Sequence, residues 1–220
     1  MGLSKLYWLF ITSMVLMLSG CGTPTPYDYT AFKKHHPKSI LILPPINATT
    51  DIKATPAVYA HATLPLAESG YYVLPVSLVN ETFKQNGLTS PDEIHSLPIA
   101  KLQEIFKADA ALYMKVSEYG SSYKVISSDV TVALEGKLID LKTGELLWSG
   151  TARASSAEQQ NNGNSLVGML IVAIVNQIVN TTTDKGVVYA NIADQRLLSA
   201  GGNGRILFGH RSPRFGQDGQ

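Results

Sequence analysis

The chain has 220 residues, of which 45% are hydrophobic and 16% charged, with 18 Lys and Arg against 17 Asp and Glu. That balance fits one globular domain and excludes disorder, while a net charge of +1 excludes the basic surface that nucleic-acid binding requires. Cys21 is the only cysteine, which excludes an internal disulfide, a thiol nucleophile and a cysteine-based zinc site.

Lys5 is the one charge before Cys21, and an apolar run follows it from Leu6 to Leu18. A positive start, a short apolar run and small residues before a cut define a signal peptide, here residues 1–20. A bilayer span needs about 20 apolar residues, so the run is not read as a membrane helix. Leu18-Ser19-Gly20-Cys21 resembles the lipobox of bacterial lipoproteins, which implies cleavage before Cys21 and diacylation of its thiol. Gly22 stands where inner-membrane lipoproteins often carry Asp, which implies the outer membrane, with the domain in the periplasm. Cleavage removes Lys5 and leaves 17 basic against 17 acidic residues.

Residues 21–37 read as a lipidated tether. Pro24, Pro26 and Pro37 oppose regular structure, and Lys33-Lys34-His35-His36 read as solvating groups in preference to headgroup ligands. Fully extended, this stretch would reach about 50 Å from the lipid.

Residues 38–200 read as a single periplasmic α/β domain. The continuous apolar run Ile40-Leu41-Ile42-Leu43 predicts a strand buried on both faces. A short helix over 56–68, broken at Pro65, precedes a short strand at Gly70–Pro75. Val76, Val79 and Phe83 recur at helical spacing up to the stop Asn86-Gly87. Pro98 then opens a helix with Ile99, Leu102, Ile105 and Phe106 on its buried face. After Ala108-Asp109-Ala110 the period changes to two. Strands are expected over 111–118 and 130–141, with a bulge at Gly136, followed by the turn Asp140–Gly144 with Gly144 at positive φ. Leu146, Trp148, Gly150 and Ala152 alternate down the partner strand. The predicted fold is α/β, a mixed sheet flanked by helices: β-α-β-α-α, an antiparallel meander, then C-terminal helices.

Leu166 to Val179 is apolar all round, and a helix of that kind must bury two sides. Val167, Ile171, Val175 and Val179 form the candidate oligomer interface, unless a helix over 184–198 folds back and covers them. Residues 201–220, rich in glycine, read as a flexible tail.

No catalytic residue, metal set or cofactor motif is found, so an enzyme is not expected. The histidines lack metal-ligand spacing apart from the adjacent pair His35-His36, and Asp92-Glu93 beside His95 reads as solvated. Asn47, Thr49, Thr50 and Asp51 follow the first central strand, at the end where α/β sheets place ligands. They read chiefly as loop-stabilising groups and secondarily as a candidate partner-contact loop.

Ile42-Leu43-Pro44-Pro45-Ile46-Asn47, Gly70-Tyr71-Tyr72-Val73-Leu74-Pro75-Val76 and Ala108-Asp109-Ala110 together resemble a family of bacterial lipoproteins of unknown function that includes a meningococcal surface-antigen candidate. More distantly, Ile139 to Trp148 is similar to the β-hairpin of the curli-secretion lipoprotein CsgG, a fold also seen in LpoB and in the N-terminal domain of TolB. These resemblances imply a non-enzymatic, oligomeric, outer-membrane lipoprotein that binds other envelope proteins within an assembly or transport machine. They equally accommodate a regulator that activates a peptidoglycan synthase. The expected partners are membrane lipid, a second copy of the chain and other envelope proteins.

Overall fold

The computed structural model describes residues 26–123, 128–158 and 184–218. In chain order its first elements are α1 (Thr30–His35), β1 (Ser39–Ile42), β2 (Ile46–Asn47), α2 (Ala54–His61), α3 (Thr63–Glu68) and β3 (Tyr72–Val73). Then come α4 (Val76–Gln85), α5 (Pro91–His95), α6 (Ile99–Phe106), β4 (Ala110–Tyr123), β5 (Ser128–Asp140), β6 (Leu146–Ser155) and α7 (Lys185–Leu198).

The strands form one mixed sheet in the order β3-β1-β4-β5-β6. β2 continues along β4 after Pro44-Pro45 interrupts β1. β3, β1 and β4 run parallel, whereas β4-β5-β6 is an antiparallel meander. β1 is apolar on both sides because both sides are covered. Ile40 and Ile42 join the core under α2, α3 and α7, while Leu41 and Leu43 pack with Val79, Phe83, Ile94 and Leu102 of α4, α5 and α6. Each such side chain contributes roughly 1.5–3 kcal/mol by leaving water. Beyond the start of β4, where Ala111 joins the core around Leu41 and Leu43, the described residues cover the meander on one face. Leu134, Leu138 and Trp148 are buried, while Lys115, Glu135, Lys137 and Thr151 are exposed, and this one-sided burial is what the period of two encodes.

Several expectations are corrected. The break between α2 and α3 falls at Ala62, and Pro65 sits inside the first turn of α3, where its missing N–H costs no helical bond. Ile105 is 47% exposed, since only Leu102 of α6 is fully buried. Gly136 is not a bulge; it pairs in register with Met114 and Gly150. The irregularities fall instead at Ser117, between Val116 and Glu118, and at Leu147, opposite the Leu138–Ile139 step. The second one breaks the alternation of β6, so that Leu147 and Trp148 are both buried and Leu146 is exposed. Gly136 and Gly150 leave room for the indole: a Cβ on Gly150 would lie 2.4 Å from Cζ2 of Trp148.

The terminal segments differ most. From Tyr27 onward the expected tether is part of the domain, because Tyr29 and Phe32 bury their rings in the main core. The expected flexible tail is likewise held to the domain, at residues 206–209. Ile206, Leu207 and Phe208 are buried, and the Tyr71 hydroxyl donates to the Leu207 carbonyl at 2.5 Å. Gly70, at φ +98°, and Gly209 let the two backbones meet; a Cβ on Gly70 would lie 2.5 Å from the Ser212 nitrogen.

Candidate functional site

The sheet has two ends, about 45 Å apart along the 14 residues of β4. One end, the tether pole, gathers the starts of β1, β3 and β4, the β5–β6 turn and both terminal segments. The other, the far pole, gathers the C-terminal ends of β2 and β4 and the start of α7.

At the far pole a cleft of about 450 Å³ is lined by Asp51, Lys53, Tyr119, Val130, Asp184 and Lys185 among others. The loop before it is built by local hydrogen bonds. The Asn47 side chain accepts from the Thr49 amide and hydroxyl and donates to the Asp51 carbonyl at 2.8 Å. Asn47 and Thr49 therefore shape the loop, Thr50 is exposed, and Asp51 turns into the cleft while accepting from the Lys53 amide. Asp184 accepts from the Gly186 amide as the cap of α7 and forms an ion pair with Lys53 at 2.9 Å. The Lys53 hydrogen bond holds the Asp184 carboxyl below its ordinary range. Tyr119 has its hydroxyl pushed up to about 12 by burial, with the Asp184 and Asp51 charges adding to it. Its ring lies where a Cβ on Gly186 would reach 2.8 Å, so glycine is needed at the helix start. The arrangement is a polar recess of mixed charge. Among the described residues no group of three His, Cys, Asp or Glu could hold a metal ion.

Of the sequence-derived candidates, only Asp51 lies in this cleft. Lys53 and Asp184, which immediately precede α2 and α7, join it with Tyr119 of β4, and of these only Asp184 fell at an expected element boundary, the start of the helix over 184–198. His95 sits in α5 with Nε2 2.9 Å from the Pro44 carbonyl and its ring edge-on to Tyr113, and its pKa is lowered mainly by burial. Cys21 and the interface candidates Val167, Ile171, Val175 and Val179 lie outside the described residues. The described residues flanking that apolar segment both belong to the far pole. Ser156, just before Glu158, donates its amide to Val130, and Val130 and Asp184 line the same cleft.

The tether pole is closed by a different set of contacts. His35 stands between two carboxylates, with Nδ1 3.2 Å from Asp140 and Nε2 2.7 Å from Glu145. A ring protonated on both nitrogens can donate to both. The hydrogen bond from His35, ahead of that from Lys34, holds the Glu145 carboxyl below its ordinary value. Asp140 also organises the β5–β6 turn, accepting from the Lys142 and Thr143 amides, and Gly144 takes φ +78° as expected. The Tyr27 amide donates to Asn203 at 2.8 Å, the Tyr29 hydroxyl to the Arg205 carbonyl at 2.6 Å, and the Trp148 indole to the Gly204 carbonyl at 2.9 Å. The two terminal segments thus lock each other onto the end of the sheet.

The model of the family described as "Putative lipoprotein GNA1162-like" matches residues 27–211. "Putative lipoprotein NMB1124/NMB1162" of Neisseria meningitidis serogroup B is 46% identical over 204 residues, 91% of this chain and 93% of that protein. The crystal structure of lipoprotein GNA1162 from Neisseria meningitidis aligns at 45% identity with a TM-score of 0.53, over 66% of this chain and all of that one. A weaker likeness, 21% identity and TM-score 0.39, covers 64% of this chain and 90% of the LpoB C-terminal domain from Salmonella enterica. The chain belongs to the GNA1162-like lipoprotein family.

Proposed function

We propose that this member of the GNA1162-like family is an outer-membrane lipoprotein, held by acylated Cys21, that serves as a non-enzymatic, oligomeric component of an envelope assembly or transport machine. The observation that carries this reading is the docking of the N-terminal segment. Because Tyr27 and Tyr29 are tied to residues 202–205, only the chain from Cys21 to Tyr27 remains to span from lipid to domain. Those few residues reach about 20 Å when extended. A domain held so close to its anchor suits a machine built at the membrane surface. It suits poorly a regulator that must cross to a synthase in another membrane. The apolar stripe Val167, Ile171, Val175 and Val179 is the proposed contact between copies. Thr50 and Asp51 beside the cleft are the proposed contacts to other envelope proteins.

The test is sedimentation of the mature, lipidated protein in detergent, alone and as the Ile171→Lys, Val175→Glu double variant. The parent should sediment as an oligomer and the variant as a folded monomer. A monomeric parent removes the oligomeric component from the proposal. Cys21→Ala should abolish incorporation of labelled fatty acid, and incorporation into that variant would overturn the anchor.

A further inference from the structure

The layer formed at the tether pole by residues 27–38 and 201–218 has an uneven charge. It holds six lysines and arginines against two aspartates, whereas the rest of residues 21–220 holds eleven against fifteen. Asp109, Asp140 and Glu145 stand at the same pole with Lys142, and Lys34 pairs with Glu145, so a chain without net charge after residue 20 is polarised by +2 at the tether pole against −2 over the remainder. Two of the layer's arginines are held on aromatic rings. The Arg214 guanidinium lies 4.1 Å over the Phe208 ring and that of Arg211 5.5 Å over Tyr72, and both arginines, like Arg205, are exposed. In the same layer lies a hollow of about 280 Å³ whose lining includes Phe32, Lys33, His36, Tyr71, Phe208 and Phe215. Phe215 is 46% exposed, its ring 5.8 Å from that of His36. Asp218, the nearby carboxylate, is occupied by the Phe208 amide.

We propose that this layer docks on anionic lipid headgroups, so that the anchored domain rests with its tether pole against the membrane. Three observations converge on that occupant. The free chain after Cys21 ends within this layer, the layer carries the chain's excess positive charge, and an exposed aromatic ring stands among the cations as interfacial side chains do. The inference rests on acylation of Cys21, and its test separates the two.

The full lipidated protein is floated with vesicles of phosphatidylcholine, alone or mixed with phosphatidylglycerol, and amide hydrogen exchange is followed. Protection of residues 205–217 is expected in the anionic vesicles only, with residues 47–53 at the far pole unchanged. That protection should fade as salt is raised. Failure to float would overturn the anchor. Flotation with identical exchange in both vesicle types would overturn the docking and leave the anchor standing. Arg205→Glu, Arg211→Glu, Arg214→Glu should lose the protection, and lysine at the same three positions should keep it. Should the glutamate variant lose exchange protection in the sheet as well, the salt dependence of the unaltered protein decides the matter. Protection that persists at high salt contradicts the proposal.

Discussion

The two ends of this sheet are closed by different physics. At the tether pole, buried rings and a buried indole donate to backbone carbonyls of residues 204–207, across separations of 56 residues from Trp148 to 176 from Tyr29. At the far pole, a loop satisfies itself through Asn47 and Thr49, and one exposed ion pair joins Lys53 to Asp184. Contacts of the first kind release a large free energy and fix one geometry. Exposed ion pairs contribute little and can exchange partners. The difference assigns rigidity to the pole nearest the proposed anchor and adaptability to the far pole.

The comparison breaks most directly at Trp148. Its side chain is 1% exposed, and Trp148→Ala should cost about 3–5 kcal/mol in denaturant unfolding while freeing residues 201–208. An unchanged midpoint would mean that the indole does not hold the two terminal segments to the sheet. Gly150→Ala places a Cβ against the same indole and should cost about 1–3 kcal/mol, read as a lowered Tm.

Asp194 sharpens the comparison from inside the core. Among the described residues neither of its buried oxygens has a hydrogen-bond partner, and burial raises its pKa well above the ordinary value. The native state therefore keeps a proton that the unfolded chain releases, so this group's contribution to stability falls as pH rises above about 4. Asp194→Asn removes that dependence. Its stability relative to the unaltered protein should grow between pH 4 and pH 7, and a gap that narrows over that range would contradict the assignment.

His35→Ala should cost about 1 kcal/mol and speed amide exchange over residues 30–36 without touching the far pole. Lys53→Ala should have the smallest effect on stability, confined to the cleft. A large loss of stability on removing Lys53 would erase the distinction between the poles.

Much of the sheet was legible because burial and sequence period are the same physical fact. Ile40 to Leu43 must be covered twice, and Val132, Leu134 and Leu138 once, so the mixed sheet with its antiparallel half follows from pattern alone. Gly144 was legible because the Asp140 turn needs positive φ. The terminal segments were misread because prolines, glycines and charges outweigh three rings and one apolar triplet in composition. Tyr29 and Phe32 at helical spacing, and Ile206-Leu207-Phe208 after the glycines, carried the missed signal. The bulges at Ser117 and Leu147 answer to cross-strand register, which no local pattern encodes. The cleft was legible at Asp51 alone, since Lys53, Tyr119 and Asp184 come from separate elements that meet only in the folded sheet.

The central claim is the orientation of the two poles relative to the membrane. Cys21 is the only cysteine and is taken up by lipid in the proposed protein, so one engineered cysteine gives a unique label. Asn203→Cys marks the tether pole and Thr50→Cys the far pole, both exposed positions. Energy transfer from each label to an acceptor in the vesicle surface measures its height above the membrane. The account predicts strong transfer from position 203 and weak transfer from position 50, which should stand higher by the rise of β4 from Ala110 to Gly120, roughly 30 Å. Equal transfer from both positions, or stronger transfer from position 50, would contradict it.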